Sequence, residues 1–238
     1  MKFTIGILLL FTINITCGCS YQKTNENMLH HLVREPKIKS DKPPLIILLH
    51  GYRSNEQDLF SLAPSLPDKF LVVSARGPYT ISEGSYMWYQ ADFSKEKPII
   101  NKEQAESSRK VILEFIEQLK IEHSFDETQV YLVGFSQGAI MSYNVGLTEP
   151  MKIKGFAAMS GRIPDEIETK VASKDKLQHL SVFISHGTID NVLKIENARN
   201  AKEYLKKLNI IPTYKEYPEP HTISQEMLTD LIDWLNKK

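Results

Sequence analysis

This 238-residue chain has few cysteines and no net charge, and each of these features excludes certain kinds of protein. It has two cysteines, Cys17 and Cys19, and both lie within its first twenty residues. It also has no excess of charge, because 29 basic residues balance 29 acidic ones. This balance excludes the strong positive field that holds nucleic acid. If Cys19 is the first mature residue, no other cysteine remains, which excludes intramolecular disulfides and cysteine-ligated zinc.

Long apolar runs are scarce as well. One uncharged, mainly apolar run follows Lys2 and extends from Phe3 to Ile15. It is too short to span a bilayer comfortably, but it suits the core of a signal peptide. Gly18-Cys19, just behind it, resembles the cleavage point of a bacterial lipoprotein signal, in which the cysteine is lipidated. Thr16 stands where that pattern usually has Leu.

The N-terminal pattern therefore predicts export, with a lipid on Cys19 as the only membrane contact. Lipidation of Cys17 and ordinary signal cleavage nearby are the alternatives. We expect a signal peptide over 1–19, a polar tether over 20–27 and one domain over 28–238. The expected location is the bacterial cell envelope.

After the tether, strand-like apolar runs alternate with helical patterns. A first edge strand is predicted at 28–33, and buried strands follow at 45–49, 70–74, 130–133, 153–159, 182–185 and 213–217. Apolar stripes at helical spacing predict helices over 104–121, 198–208 and 227–235. The alternation predicts an α/β domain, with a mainly parallel sheet, helices on both faces and no large lid domain.

The segment Gly134-Phe135-Ser136-Gln137-Gly138 fits the pattern G-x-S-x-G. The pattern alone is weak, because so short a match also arises by chance. Here, however, a predicted strand precedes it and helical residues follow it. A sharp strand-to-helix turn forces its central residue into strained backbone geometry, and glycines two positions away avoid a collision. This context predicts Ser136 as a nucleophile raised beside the amides of a helix N-terminus.

The partners of such a serine should follow strands, because active sites of open α/β sheets lie beyond the carboxyl ends of strands. In this fold they come in the order serine, acid, histidine. His221 follows the last predicted strand in a polar, proline-rich loop and is favoured as the base. Asp190 follows the strand before it and is favoured as the acid that orients His221. Asp165 is the rival acid, and a turn aspartate is the structural alternative for Asp190.

Two other histidines and two backbone amides belong to the same predicted edge of the sheet. His50 and His186 each follow a strand directly, but His186 leads into the loop of Asp190. A developing oxyanion needs two preorganised donors. The amide of Gln137 is the natural first donor, and the amide of Tyr52, in the loop after the first buried strand, is the expected second.

Taken together, LLHGYRSNEQDLF, GFSQGA, SHGTIDNVL and PEPH resemble the phospholipase/carboxylesterase family of α/β-hydrolases. That family includes acyl-protein thioesterases and small bacterial carboxylesterases. The resemblance covers roughly residues 28 to 236, with four motifs in order. It implies a triad and two oxyanion amides, contributed by Ser136, Asp190, His221, Tyr52 and Gln137.

The resemblance also implies that Arg76, Trp88 and Tyr89 lie near the acyl or alcohol group of a substrate. Ordinary packing is the alternative for Trp88 and Tyr89. Arg53 departs from the family pattern, because many members have Gly at that position. The departure bears on the geometry of the loop that carries the Tyr52 amide.

These features predict a serine carboxylesterase that hydrolyses small esters of short- to medium-chain acids and needs no metal or organic cofactor. Other substrates remain open: an exported polysaccharide acetyl or feruloyl esterase, a lysophospholipase and a thioesterase share the same machinery. A binding lipoprotein on a hydrolase scaffold is the non-enzymatic alternative. Such a protein would be expected to lack a triad member, whereas this sequence has all three.

Overall fold

A central sheet organises the computed structural model, which describes residues 29–92 and 99–238. The predicted signal peptide, Cys19, the tether and Met28 lie outside the described residues. In chain order, the described strands are β1 (His31–Arg34), β2 (Leu45–Leu49), β3 (Leu71–Ala75), β4 (Tyr79–Ser82), β5 (Ser85–Met87), β6 (Ala91–Asp92), β7 (Ile99–Ile100), β8 (Val130–Phe135), β9 (Gly155–Met159), β10 (Ser181–Gly187) and β11 (Thr213–Tyr217).

The helices of the described residues are α1 (Glu56–Phe60), α2 (Lys102–Glu122), α3 (Gln137–Thr148), α4 (Lys174–Leu177), α5 (Glu196–Lys207) and α6 (Gln225–Asn236). Short 3-10 segments lie at Ala63–Ser65, Pro150–Lys152 and Asp165–Lys170. Within this described part of the chain, none of the helices combines the length and apolar character that crossing a membrane requires.

Seven of the described strands form the main sheet, in the order β1-β3-β2-β8-β9-β10-β11. The edge strand β1 is antiparallel to β3, and all the other neighbours are parallel. This confirms the predicted mainly parallel sheet. Because β2, β8, β9, β10 and β11 are parallel, the loops that follow them emerge at one edge.

The two faces of the sheet bury different side chains of the same strands. Along β2, Leu45, Ile47 and Leu49 pack on one face with α2, α3 and α5, while Ile46 and Leu48 pack on the other with α1 and α6. Complete burial of an aliphatic side chain of this size stabilises a fold by about 1.5–3 kcal/mol. Helices on both faces therefore fix the sheet, as predicted.

Two small hairpins between β3 and α2 were not expected from the sequence. Strand β4 pairs with β5, and β6 pairs with β7, each antiparallel. Their strands are two to four residues long. Segments so short carry too few residues for an alternating apolar pattern. The segment is small, so the prediction that no large lid domain is present agrees with the fold.

Candidate active site

Ser136 occupies the sharp turn between β8 and α3, with φ 53° and ψ −114°. The turn is tight enough to need glycine on both sides. A Cβ on Gly138 would lie 1.9 Å from the backbone oxygen of Leu49, and one on Gly134 would lie 2.3 Å from the carbonyl carbon of Gly138. The predicted strained elbow and its dependence on flanking glycines are therefore present.

A hydrogen-bonded chain of three side chains leads from this turn. His221 Nε2 lies 2.9 Å from Ser136 Oγ, and His221 Nδ1 lies 2.6 Å from Asp190 Oδ2. Because a carboxylate only accepts, Nδ1–H donates to Asp190 and leaves the Nε2 lone pair for the serine proton. The Asp190 side chain is buried, whereas that of His221 is 15% exposed. The chain thus runs from the interior to a serine within reach of solvent.

Asp190 is held in place from both sides. Its Oδ1 accepts hydrogen bonds from the amides of Val192 (2.8 Å) and Leu193 (2.9 Å), so it is also the turn aspartate considered as its alternative. On the other side, His186 Nε2 lies 3.3 Å from Asp190 Oδ2 and 2.5 Å from the Leu193 oxygen. Two acceptors face that nitrogen, so it carries the proton. Burial lowers the pKa of His186 and keeps the ring neutral.

The rival acid has a different position. Asp165 is exposed at the start of a 3-10 segment, while the Nδ1–H of His221 is directed at Asp190. The loops of Asp190 and His221 are also joined by their backbones. A Cβ on Gly187 would lie 2.0 Å from the Glu219 oxygen, and the Ile189 amide donates to that same oxygen at 3.3 Å. Glycine at 187 therefore permits the approach that brings acid and base together.

The two predicted oxyanion donors flank Ser136. Gln137 is the first residue of α3, so its amide is one of the first N–H groups of the helix, which have no acceptor within the helix. On the other side, a Cβ on Gly51 would lie 3.5 Å from Ser136 Cβ, so the loop carrying Tyr52 runs directly beside Ser136. Arg53, next in this loop, has φ 64°. That left-handed conformation favours glycine, which explains why Arg is unusual there.

A buried polar layer beneath the serine was missed by the sequence reasoning. The Gln137 side chain accepts from the Trp88 amide (2.8 Å) and donates to the Tyr89 oxygen (2.7 Å). Trp88 Nε1 in turn donates to the His50 oxygen at 2.9 Å. The sequence signal for this layer is a polar amide at the start of a helix whose other positions are mostly apolar.

His50 is part of this layer rather than a candidate base. Its Nδ1–H donates to the Gly51 oxygen at 2.7 Å, and its Nε2 accepts from the Gly77 amide at 2.9 Å. Both ring nitrogens are therefore committed to backbone. Burial lowers the pKa of His50, which keeps the imidazole neutral.

The three residues expected near the substrate lie around the same layer. Trp88 and Tyr89 are 0% and 2% exposed, which favours the packing alternative for their side chains. Arg76 makes a two-pronged ion pair with Glu56, at 2.7 and 2.6 Å, and stacks over Tyr86. The hydrogen bonds from Arg76 lower the pKa of Glu56. Direct contact of any of the three with a substrate stays a prediction.

A parallel sheet, a strained serine at a strand-to-helix turn and a His–Asp pair on the following loops define an α/β-hydrolase. Comparison with known proteins makes the class more specific. The profile of the phospholipase/carboxylesterase family matches residues 30–238, and the chain belongs to that family. This confirms the predicted fold and enzyme class, a hydrolase of the carboxylesterase and thioesterase type.

Individual relatives and solved structures have names that agree with this family. The chain is 31% identical over 156 residues to "Acyl-protein thioesterase 1" of Kluyveromyces lactis, covering 63% of this chain and 68% of that protein. Among solved structures, "esterase PE8" has a TM-score of 0.74 at 26% identity, covering 88% of this chain and 99% of that one. A Bacillus cereus carboxylesterase has a TM-score of 0.78 at 24% identity, covering 90% and 96%, and supports the fold.

Proposed function

We propose that this protein is a serine carboxylesterase in which Ser136, His221 and Asp190 form the catalytic triad. The observation that carries the proposal is the hydrogen-bonded chain, 2.9 Å from Ser136 Oγ to His221 Nε2 and 2.6 Å from His221 Nδ1 to Asp190. These are the distances at which a nucleophile, a base and an orienting carboxylate act together.

The reaction follows from the positions of these groups. Ser136 Oγ attacks the ester carbonyl while His221 Nε2 takes its proton, and the amides of Tyr52 and Gln137 stabilise the oxyanion. His221 then protonates the departing alcohol, which leaves an acyl group on Ser136. A water molecule, deprotonated by His221, attacks the acyl-enzyme, and His221 returns that proton to Ser136 Oγ as the bond breaks and the acid departs. Asp190 stays ionised throughout and stabilises the imidazolium.

Apolar surface beside the triad supports an acyl substrate of short to medium length. Ile189 and Val192 flank Asp190 and are 58% and 61% exposed. Exposed aliphatic side chains next to the proposed acid offer a surface that a hydrocarbon chain can cover. Two side chains make only a small surface, which favours short and medium chains over long ones.

An acyl thioester is the second candidate substrate. The observation that favours it is the similarity to the Kluyveromyces lactis protein whose name is acyl-protein thioesterase. The same triad serves both bonds, since attack on the carbonyl and the oxyanion are common to them. Which of the two bonds is cleaved faster is therefore decided by measuring the hydrolysis of esters and thioesters that carry the same acyl chain.

One experiment tests both candidates. Hydrolysis is followed with p-nitrophenyl esters from acetate to decanoate, and with thioesters of the same acids. Wild type is compared with Ser136→Ala, for which we expect a loss of kcat/KM of at least about 10³-fold, because the nucleophile is gone. Labelling by a fluorophosphonate should disappear in the same variant. Undiminished hydrolysis by Ser136→Ala would overturn the proposed nucleophile.

The acid is tested by a matched pair of variants. Asp190→Asn should lower kcat by about 10³–10⁴-fold, because an amide no longer holds His221 in the productive tautomer. Asp165→Asn should leave kcat near the wild-type value. A large loss confined to Asp165→Asn would reverse the assignment.

We also propose that the protein is exported and anchored to the cell envelope through lipid on Cys19. The support is in the sequence: an apolar run over 3–15 followed by Gly18-Cys19. Under this proposal the folded domain begins at residue 28, after a tether over 20–27. Mass spectrometry of the mature N-terminus should detect an acylated Cys19. An unmodified terminus elsewhere would refute it.

A further inference from the structure

A cluster of His31, Glu122 and His123 lies outside the triad and its supporting layer. His31 is on the edge strand β1, Glu122 ends α2, and His123 follows it. One potential ligand atom from each lies within 4.8 Å of the others. His31 Nε2 and Glu122 Oε2 are 3.9 Å apart, and their side chains are 13% and 35% exposed. The cluster is therefore partly sheltered but open to an ion from solvent.

The tautomer of His31 prepares it for coordination. Its Nδ1 lies 2.9 Å from the Leu29 oxygen, so Nδ1–H donates and the Nε2 lone pair faces Glu122. Zinc-binding histidines characteristically donate their second ring N–H to a carbonyl or carboxylate in this way. The ring of His31 also packs edge-on against Phe115, with centroids 5.2 Å apart, which fixes its orientation.

The surrounding charges favour a cation. Glu122 and His123 lie at the C-terminus of the 21-residue helix α2, where the helix dipole is negative. Glu35 adds a second carboxylate, with Oε1 3.7 Å from His123 Nδ1. The nearby ammonium of Lys120 is paired with two other glutamates, Glu117 and Glu127, at 3.0 Å each. Coordination takes the imidazole in its neutral form, so the charges of the two carboxylates balance one divalent ion.

We propose that His31, Glu122 and His123 bind Zn²⁺, with Glu35 completing the site directly or through a water molecule. Zinc–ligand bonds of about 2.1 Å in a tetrahedron place ligand atoms about 3.4 Å apart. The present separations are at most 4.8 Å, so the ligand atoms close in by up to about 1.4 Å, which partly exposed side chains permit. The ion joins β1 to the end of α2, so its role is structural and independent of ester hydrolysis.

The test is thermal unfolding with and without zinc. The metal-free protein is prepared with EDTA, and Tm is measured as Zn²⁺ is added. With free zinc a hundredfold above Kd, Tm should rise by about 5–10 °C for a chain of this size. Calorimetric titration should give one ion per chain. Co²⁺ added to the metal-free protein should show the intense visible absorption of four-coordinate cobalt.

Matched variants locate the site. His31→Asn and His123→Asn should each abolish most of the zinc-induced rise in Tm, whatever their own starting Tm. His30→Gln, a change of the adjacent histidine, and His221→Asn, in the proposed triad, should retain the full rise. The proposal is overturned if wild type shows no rise, if His31→Asn and His123→Asn keep it, or if His221→Asn loses it.

Discussion

At position 136, glycine should give a more stable protein than alanine, which is the reverse of the order expected at an ordinary helical position. Ser136 has φ 53° and ψ −114°, a combination that side chains other than hydrogen tolerate poorly. Such backbone strain costs about 1–3 kcal/mol. Ser136→Ala keeps the Cβ and the strain, whereas Ser136→Gly removes both.

The magnitude follows from three contributions. Glycine loses about 0.5–1 kcal/mol relative to alanine through the extra freedom of the unfolded chain. Both variants lose the hydrogen bond to His221 equally. Ser136 makes no side-chain capping bond to α3, so neither variant loses a cap. The strain of about 1–3 kcal/mol, less the loss of about 0.5–1 kcal/mol for glycine, should make Ser136→Gly more stable than Ser136→Ala by about 0–2.5 kcal/mol, with a centre near 1 kcal/mol.

Urea unfolding of both variants measures the difference, and an ordinary helical position supplies the control. Lys110 is exposed within α2, where glycine should be less stable than alanine by about 1 kcal/mol. The order at 136 should be the reverse of the order at 110. If glycine is the less stable residue at both positions, the elbow holds no strain and the reasoning is wrong.

Three further predictions concern the surroundings of the elbow. Gly138→Ala should lower the free energy of unfolding by at least about 2 kcal/mol, because its Cβ would lie 1.9 Å from the Leu49 oxygen; an unchanged urea midpoint would contradict this. Arg53→Gly should raise Tm slightly, because φ 64° costs an arginine about 1–2 kcal/mol, whereas glycine loses only about 0.5–1 kcal/mol through the freedom of the unfolded chain; a lower Tm would count against it. Burial lowers the pKa of both His50 and His186, so unfolding binds protons below about pH 6.5. The stability that the two buried, neutral histidines contribute is complete above that pH and is lost as pH falls through their folded pKa values. The urea midpoint of unfolding should therefore decline between pH 7 and 5. A midpoint that does not change over this range would show that the two histidines are not buried in the neutral form.

The buried strands were predictable because each is an apolar run bounded by turn residues. The predicted bounds 45–49 and 213–217 agree with β2 and β11. The closing helix follows its period closely. Trp234 comes seven residues after Met227, which is about two helical turns, so the period places it on the buried face. Ile232 lies at the margin of that face and is only partly buried.

The proximity of Ser136, Asp190 and His221 was predictable for a topological reason, since loops after parallel strands share one edge of the sheet. The buried polar layer beneath Ser136 was not predictable. The hydrogen bonds between Gln137 and the residues Trp88 and Tyr89 join positions 49 and 48 residues apart, and they depend on a hairpin whose short strands have no periodic pattern. Contacts of this kind depend on the final packing, so single-sequence patterns do not contain them.

The backbone at Ser136 bears on what its side chain is for. A turn with φ 53° folds more readily with glycine, so a serine there is costly unless its hydroxyl contributes something else. Strain alone does not establish that contribution. Ser160 also has a positive φ, 50°, yet its Oγ has no hydrogen-bond partner among the described residues. Ser136 differs because His221 Nε2 lies 2.9 Å from its oxygen and is itself held by Asp190. The hydrogen-bonded chain, rather than the strain or the G-x-S-x-G pattern, is therefore the observation on which the proposal of Ser136 as the nucleophile rests.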